Sequence, residues 1–501
     1  MTNAILNKKL NDLKNVGFFD NLIIERGIEK EFFRIDPKGN ISKKSHPNSL
    51  GSALTNKFIT TDFAEAQLEL VTPTFEDIDE LYDFLYSLHV FSAKNLKNDE
   101  MLWPFSMPPA IKNESEINLG YYHQSNIGLL KHVYRRGLKI RYGSTMQCVS
   151  GMHYNFSLKK ESLQKLVNDN DQSAIDDAYL GLMRNFKRIF WFVLTQFGQT
   201  NVVDKSFVKG RNHNLKNLND TDLYSEFATS LRMSDIGYQS KAQQSLDIKY
   251  NSLSSFLEKI KFAITSPYPE FEGMGLKNNS GDYHQISSGI IQIENEFYDS
   301  IRPKRPSVDG VRPYEMLKKL GIEYLEIRGV DISPFDIVGI SKDQIRFLDL
   351  ILIYCLVMPS PAIASEEKKL IDENDKKALY NGRDENTLIV VNNKKVSIRS
   401  AAKSIINDLK DLATFFVNCD EMTSSIISII EMEKGLLPES GFHNDSLVKA
   451  KQNMSELVSS DCKYFDIIKK ESESSLEEFT KMPTNTETEM NDFVKNYNKN
   501  L

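Results

Sequence analysis

Alternation of apolar and polar positions is clearest between residues 321 and 331, where the sequence reads GIEYLEIRGVD. Successive side chains of a β-strand point to opposite faces, so this period of two predicts a half-buried strand. Leu325 and Ile327 fall on one face, and Glu326 and Arg328 fall on the other. Charges away from water are costly unless they are paired or bound to a metal, so the polar face is expected to line a functional cavity.

The same alternation predicts four further strands, at residues 28–35, 63–71, 152–158 and 290–298. Each strand carries polar side chains on one face and mostly apolar side chains on the other. The polar faces bear Glu29 and Glu31; Glu65, Gln67 and Glu69; His153; and Gln292, Glu294, Glu296 and Tyr298. The first strand is the least regular, because Lys30 and Arg34 fall on its expected buried side.

If these strands belong to one sheet, its polar face holds five or more carboxylates. Their mutual repulsion would protonate them or unfold the site unless divalent cations were bound. Oxygen ligands favour Mg²⁺, and a lone histidine such as His153 is also compatible with Mn²⁺. Magnesium takes substrate phosphates as further ligands, so an acidic basin beside Arg328 indicates nucleotide chemistry. A single pair of alternating acids is more typical of a solvated strand face, and it is the recurrence in several strands that favours a shared site.

Helical periodicity dominates the rest of the chain. It predicts helices at residues 75–98, 131–142, 160–199, 252–263, 345–358, 400–417 and 447–475, and a short amphipathic helix within residues 1–25. A hairpin is expected at residues 388–398, and the charge-rich tail from residue 471 is expected to become disordered. The pattern predicts an α+β catalytic body over residues 1–360 and a mostly helical part over residues 361–501 that packs on it.

Composition narrows the class of protein. The 501 residues are 40% hydrophobic and 26% charged, which is typical of a soluble globular protein, and the net charge of -7 argues against non-specific nucleic-acid binding. The N-terminal residues lack the apolar core of a signal peptide, and no apolar run is long enough to cross a membrane. The four cysteines are far apart and form no C-x-x-C pair, which predicts a reduced, cytoplasmic protein without disulfides or a zinc site.

Two further patterns bear on nucleotide binding. The sequence contains no phosphate-binding P-loop and no strand-linked G-x-G-x-x-G, so a nucleotide would be held by metal ions rather than by a glycine-rich turn. Arg302 and Arg305 directly follow a candidate site strand and are candidate site residues, whereas Arg136 and Lys304 are interpreted as surface charge.

Several blocks of the sequence resemble glutamate–cysteine ligase of the γ-proteobacterial type. They are residues 27–31 (GIEKE), 60–66 (TTDFAEA), 134–138 (YRRGL), 150–156 (SGMHYNF), 230–238 (SLRMSDIGY), 294–305 (ENEFYDSIRPKR) and the strand around Glu326. The resemblance runs in the same order from about residue 26 to residue 347, and it is thin beyond residue 360.

The resemblance implies a glutamine-synthetase-like fold, in which an antiparallel sheet curls into a funnel flanked by helices. It also implies ATP-dependent joining of the L-glutamate γ-carboxylate to the L-cysteine amine through a γ-glutamyl phosphate, the first step of glutathione biosynthesis. The implied partners are these small molecules alone, with no nucleic acid and no membrane, and we expect a monomer.

The resemblance also assigns roles to single residues. The implied metal ligands are Glu29, Glu31, Asp62, Glu69, His153 and Glu326. Arg328 resembles the residue at the transferred phosphate, with Glu326 beside it. The implied pocket for the cysteine substrate consists of Tyr134, Arg232, Tyr238 and Tyr298.

Three alternatives stay open on the sequence. A related ligase would use the same metal basin with a different amine substrate. A metal-dependent hydrolase would share the acids but would need neither the tyrosine-lined pocket nor Arg328. A ligand-binding regulator that kept the fold would be expected to have lost one or more of the metal-side acids.

Overall fold

A computed structural model describes residues 2–97, 99–167, 171–237, 240–306, 311–435, 438–499 and 501. The strands are β1 (Ile24–Ile35), β2 (Ile59–Thr61), β3 (Gln67–Val71), β4 (Met101–Leu102), β5 (Met152–Leu158), β6 (Val202–Asp204), β7 (Lys216–Asn217), β8 (Asp222–Tyr224), β9 (Ile301–Lys304), β10 (Tyr324–Val330), β11 (Leu388–Val391) and β12 (Lys394–Ser397). The helices are α1 (Thr2–Asn15), α2 (Ile78–Asn95), α3 (Asn126–Tyr142), α4 (Lys160–Val167), α5 (Gln172–Phe197), α6 (Leu253–Thr265), α7 (Pro269–Met274), α8 (Pro313–Leu320), α9 (Lys342–Val357), α10 (Ser365–Asn381), α11 (Ile398–Ala413), α12 (Cys419–Glu431), α13 (Phe442–Ser459), α14 (Phe465–Lys481) and α15 (Glu487–Tyr497).

The central sheet is antiparallel and has the strand order β2-β3-β1-β5-β10-β9, with β4 also paired to β1. Its register places Glu29 opposite His153, Glu31 opposite Glu69, and Glu326 opposite Asn155. Directly opposed residues of neighbouring strands point to the same face. The register alone therefore brings acids from distant parts of the chain onto one face of the sheet.

The opposite face of the sheet is buried in the hydrophobic core. Ile28, Tyr154 and Ile327 pack there with residues of α5 and α9, and this apolar cluster extends to Leu409 of α11. Residues from both sides of position 360 thus share one core. None of the described helices is long and apolar enough to cross a membrane.

The charges that interrupt the buried face of β1 each have a partner. The Lys30 Nζ atom lies 2.8 Å from His89 Nε2, and burial lowers the pKa of Lys30 to about 7. Arg34 donates from Nη1 to Glu100 Oε1 over 2.7 Å. Buried polar groups are tolerated when they are hydrogen-bonded or ion-paired, so the irregular pattern of the first strand is compatible with its central position in the sheet.

The prediction of a strand at residues 290–298 is wrong. This segment is irregular and contains only a short 3₁₀ helix, Glu294–Glu296, because its acids fold back to accept hydrogen bonds from Arg312 and Arg141. The strand lies a few residues later, in β9, where Pro303 is tolerated because β9 is at the edge of the sheet.

Other predicted elements differ from the observed ones in the residues at which they begin and end. The strand expected from residue 63 begins at residue 67, after a turn in which Gln67 N donates to Ala64 O. The helices expected at 160–199 and 447–475 are each two helices, α4 with α5 and α13 with α14. The tail from residue 471 contains the rest of α14 and all of α15, so the expectation of disorder is wrong for these described residues.

We predict that Asp349→Asn lowers the free energy of unfolding by about 3–5 kcal/mol, because it leaves a buried guanidinium without its counter-charge. Asp349 is fully buried, and it accepts hydrogen bonds from Arg26 Nε over 2.8 Å and from Tyr154 Oη over 2.6 Å. Urea denaturation followed by circular dichroism measures the change. The matched control is Asp79→Asn, which removes a surface pairing with Lys342 and should cost about 0–1 kcal/mol. Equal losses for the two variants would contradict the prediction.

Candidate active site

The polar face of the sheet forms the floor of an open cavity of 440 Å³. Ten of the eleven residues to which the family resemblance assigns roles line it: Glu29, Glu31, Asp62, Glu69, Tyr134, His153, Arg232, Tyr298, Glu326 and Arg328. The eleventh, Tyr238, lies outside the described residues. Side chains from β1, β3, β5 and β10 therefore meet in one place, together with side chains from α3 and from the loops around residues 232 and 298.

Glu29, Glu69 and His153 form a cluster in which one ligand atom from each residue lies within 4.8 Å of the others. His153 Nδ1 is 3.2 Å from Glu29 Oε2, and His153 Nε2 is 3.6 Å from Glu31 Oε1. If Nδ1–H donates to Glu29, the lone pair of Nε2 points toward the second carboxylate. Such a ring is stable beside Glu31 when a cation or a proton lies between them.

Backbone and amide donors hold the two carboxylates of β1 in place. Asn155 Nδ2 donates to Glu29 Oε1 over 2.9 Å, and the backbone N–H of Gly151 donates to Glu31 Oε2 over 3.0 Å. These donors come from β5 and from the residue just before it, so they are set by the same strand pairing that opposes Glu29 and His153. Fixed carboxylates of this kind suit a metal site, because the partners of the ligands orient them.

Charge is unbalanced at the β1–β3 side of the cavity. Burial, followed by the nearby carboxylates of Asp62 and Glu69, raises the pKa of Glu31 well above its usual range. Burial and the carboxylates of Asp62 and Glu29 raise the pKa of Glu69 to about 8. Burial and the guanidinium of Arg328 lower the pKa of His153, which favours the neutral imidazole that binds metals. This donor set of carboxylate oxygens and one neutral imidazole fits Mg²⁺ or Mn²⁺.

The β9–β10 side of the cavity is basic. Glu326 Oε2 accepts from Arg302 Nε over 2.7 Å and lies 3.3 Å from Arg328 Nη1, while Glu326 Oε1 lies 3.0 Å from Lys304 Nζ. Although burial opposes ionisation, these cations keep the pKa of Glu326 well below its usual range. The interpretation of Lys304 as surface charge is therefore wrong. Its spacing of two from Arg302 on a strand was the available signal, because it places both side chains on one face.

Arg232 is held rigidly at the edge of the cavity. Its Nε donates to Asp331 Oδ1 over 2.7 Å, and its Nη2 donates to the carbonyl oxygens of Arg328 and Val330. A Cβ atom at Gly151 would lie 2.7 Å from Arg232 Nη1, so a larger residue there would displace the guanidinium. Arg232 is thereby tied to β10, the strand that carries Glu326 and Arg328.

Tyr298 and Tyr134 stand on different walls of the cavity. The Tyr298 ring centroid is 5.9 Å from the Arg328 guanidinium carbon, and its hydroxyl lies 2.9 Å from Met233 Sδ. Burial, followed by the charge of Glu296, raises the pKa of Tyr134 well above its usual range, so this hydroxyl stays protonated. The two rings therefore offer apolar surface and neutral hydroxyl groups.

Sequence reasoning missed several residues of the cavity wall. They are Lys131 and Arg135 of α3, Gln147 and, from the C-terminal segment, Tyr497. The α3 residues have a usable signal, because positions 131, 134, 135 and 138 recur at helical spacing and share one face. Glu65 and Gln67, which the alternation grouped with Glu69, do not line the cavity: Glu65 accepts from the backbone N–H groups of His46 and Tyr121.

Known proteins are similar to this chain over most of its length. The sequence profile of a family described as "Glutamate-cysteine ligase" matches residues 9–378. A glutamate–cysteine ligase of Hahella chejuensis is 44% identical over 365 residues, which are 72% of this chain and 69% of that protein. One from Proteus mirabilis is 41% identical over 404 residues, 79% of this chain and 76% of that protein.

Solved structures confirm the predicted fold. The crystal structure of glutamate–cysteine ligase from Francisella tularensis in complex with AMP matches with a TM-score of 0.90 and 30% identity, over 96% of this chain and 98% of that chain. A bifunctional glutathione synthetase from Pasteurella multocida shares the fold, with a TM-score of 0.63 and 21% identity over 96% of this chain and 55% of that chain.

We predict that Mg²⁺ or Mn²⁺ raises the melting temperature of the wild-type protein and that Glu69→Gln loses most of this increase. A ligand at 100 times its Kd stabilises the folded state by about 2.7 kcal/mol, and the loss of one ligand weakens binding. Without metal, Glu69→Gln should be at least as stable as the wild type at pH 8, because it removes a carboxylate whose buried charge is unfavourable. Thermal melts with metal and with chelator measure both effects.

The control for this experiment is Glu323→Gln, at an acid just before β10 that pairs with Arg305 at the surface. It should respond to metal like the wild type. An unchanged metal response in Glu69→Gln would remove Glu69 from the set of ligands.

Proposed function

This chain belongs to the glutamate–cysteine ligase family, and on that premise we propose how its cavity joins the γ-carboxylate of L-glutamate to the amine of L-cysteine. The reaction consumes ATP and yields γ-L-glutamyl-L-cysteine, ADP and phosphate. The observation that supports this function most strongly is the meeting of an acidic half, Glu29, Glu31 and Glu69, with a basic half around Arg328 in one cavity.

The chemistry requires two steps, because a carboxylate is a poor electrophile. An oxygen of the glutamate γ-carboxylate first attacks the terminal phosphorus of ATP, and the bond from that phosphorus to ADP breaks. The cysteine amine then attacks the acyl carbon, and phosphate leaves. Arg328 is proposed to stabilise the charge on the transferred phosphoryl group, since its guanidinium is fixed beside Glu326 on a rigid strand.

The acidic half of the cavity is proposed to bind the metal ions that accompany ATP. The proposed ligands are Glu29, Glu31, Asp62, Glu69 and His153 of this half, together with Glu326 from the basic side of the cavity. Bound Mg²⁺, or Mn²⁺ in its place, would neutralise phosphate oxygens so that two anions can approach each other. The fit rests on the donor types, on the 4.8 Å cluster and on the charge imbalance at Glu31 and Glu69.

The cysteine substrate is proposed to lie against Tyr134, Arg232 and Tyr298, with Tyr238 as the fourth member of the pocket. Arg232 is the candidate to bind the cysteine carboxylate, and Asp331 and two backbone carbonyls fix the position of its guanidinium. The tyrosine rings offer apolar faces to the cysteine side chain, and their hydroxyls can bond its polar groups.

The cellular setting follows from the same premise. We propose a monomer as the working unit. All four cysteines are unpaired, which suits a reducing compartment such as the cytoplasm and the first step of glutathione biosynthesis.

The direct test is to incubate the protein with ATP, Mg²⁺, L-glutamate and L-cysteine and to follow phosphate and dipeptide. We expect phosphate release that requires glutamate and prefers cysteine over 2-aminobutyrate, alanine and glycine. Release without such a preference would favour a ligase for another amine. Release without any amino acid would favour a hydrolase, and no release at all would favour a regulator.

We predict that Arg328→Ala lowers kcat by about 10²–10³-fold, because it removes a donor at the transferred phosphate. Arg328→Lys keeps the charge but loses the forked geometry, and it should recover only part of the rate. Steady-state kinetics at saturating substrates measures both variants. Arg399→Ala, at an exposed arginine paired with Glu385, is the control and should keep the wild-type rate. Near-normal turnover of Arg328→Ala would remove Arg328 from the mechanism.

A further inference from the structure

The C-terminal segment of the chain reaches the cavity. Tyr497, the last residue of α15, lines it together with Leu130 and Tyr134 of α3 and with Pro313 at the start of α8. The match to the family profile ends at residue 378, so this contribution lies outside the matched region.

Helix α15 packs against α3, which also forms part of the cavity wall. Met490 and Val494 pack with Leu130 and Val133 of α3 in a separate apolar cluster. At the start of α15, Glu487 Oε1 lies 2.7 Å from Arg136 Nη1. Leu130 belongs to both the cluster and the cavity, so the position of α15 is coupled directly to the wall.

A buried arginine orients the ring of Tyr497. The Arg312 guanidinium carbon lies 4.7 Å from the ring centroid, and Arg312 Nη1 donates to Asn498 Oδ1. Arg312 is 1% exposed, and its Nε and Nη2 each donate to Glu294 over 3.0 Å. A bidentate, buried pair of this kind is rigid, so the ring is held in one orientation at the side of the cavity.

We propose that Tyr497 is a water-excluding wall residue that protects the acyl phosphate during the reaction, an inference that rests on the proposed function. In the competing reaction, a water oxygen bonds to the acyl carbon and the bond from that carbon to the phosphate oxygen breaks. Glutamate, phosphate and a proton are released, so ATP is consumed without dipeptide. A half-buried aromatic ring at the side of the cavity slows this reaction by keeping water away.

The test is the ratio of phosphate released to γ-glutamylcysteine formed, with both products measured in the same quenched samples. In the wild type this ratio should be about one, and in Tyr497→Ala it should rise to about two or more because water competes with the amine. The excess should grow as cysteine is lowered at constant glutamate. A purely structural defect would slow both products together and leave the ratio unchanged.

Matched variants separate the ring from other effects. Tyr497→Phe keeps the ring and should stay near a ratio of one, as should Lys495→Ala, at an exposed lysine of the same helix. Asn498→Ala removes an acceptor of Arg312 but keeps the ring, so it should give a smaller rise even if Tyr497→Ala folds poorly. A ratio of one in both Tyr497→Ala and Asn498→Ala overturns the inference. A wild type without glutamate-dependent phosphate release instead overturns the proposed function, and the inference with it.

Discussion

Repulsion among buried carboxylates is the constraint on which the site depends. The two sides of the cavity balance this repulsion in different ways. On the β9–β10 side, Glu326 is balanced by Arg302, Lys304 and Arg328. On the β1–β3 side, burial and neighbouring carboxylates raise the pKa values of Glu31 and Glu69, although Arg328 and Arg135 respectively act against this rise. Additional positive charge is therefore needed mainly on the β1–β3 side. The β9–β10 side, which is proposed to contact the phosphoryl group, already carries its cations.

The polar face could be predicted from the sequence because a strand needs only local alternation to separate its two faces. Glu29, Glu69, His153 and Glu326 were each assigned to the correct side in this way, and the core packing of Ile28 and Ile327 confirms the apolar side. The neighbour of each strand could not be predicted in this way. The pairing of Glu31 with Glu69 depends on contacts between segments far apart in the chain, which local alternation does not reveal.

The local sequence pattern gave wrong predictions where contacts with distant residues determine the structure. The acids of residues 290–298 alternate as a strand would, yet Glu294 and Glu296 turn toward Arg312 and Arg141 instead. An ion pair formed across more than a dozen residues leaves no periodic signal. The same reason explains Lys304, which looks like surface charge until β9 pairs with β10 and brings it to Glu326.

The C-terminal helix shows why low hydrophobicity is a weak argument for disorder. Only Met490 and Val494 of α15 are fully buried, but a capping box at Thr486 and the pairing of Glu487 with Arg136 add specific contacts at its start. A few specific contacts can order a charged helix, and here α3 provides the surface against which they are made. A division of the chain at residue 360 therefore describes a change in sequence character. It does not mark the edge of the site, since Tyr497 stands in the same wall as Tyr134.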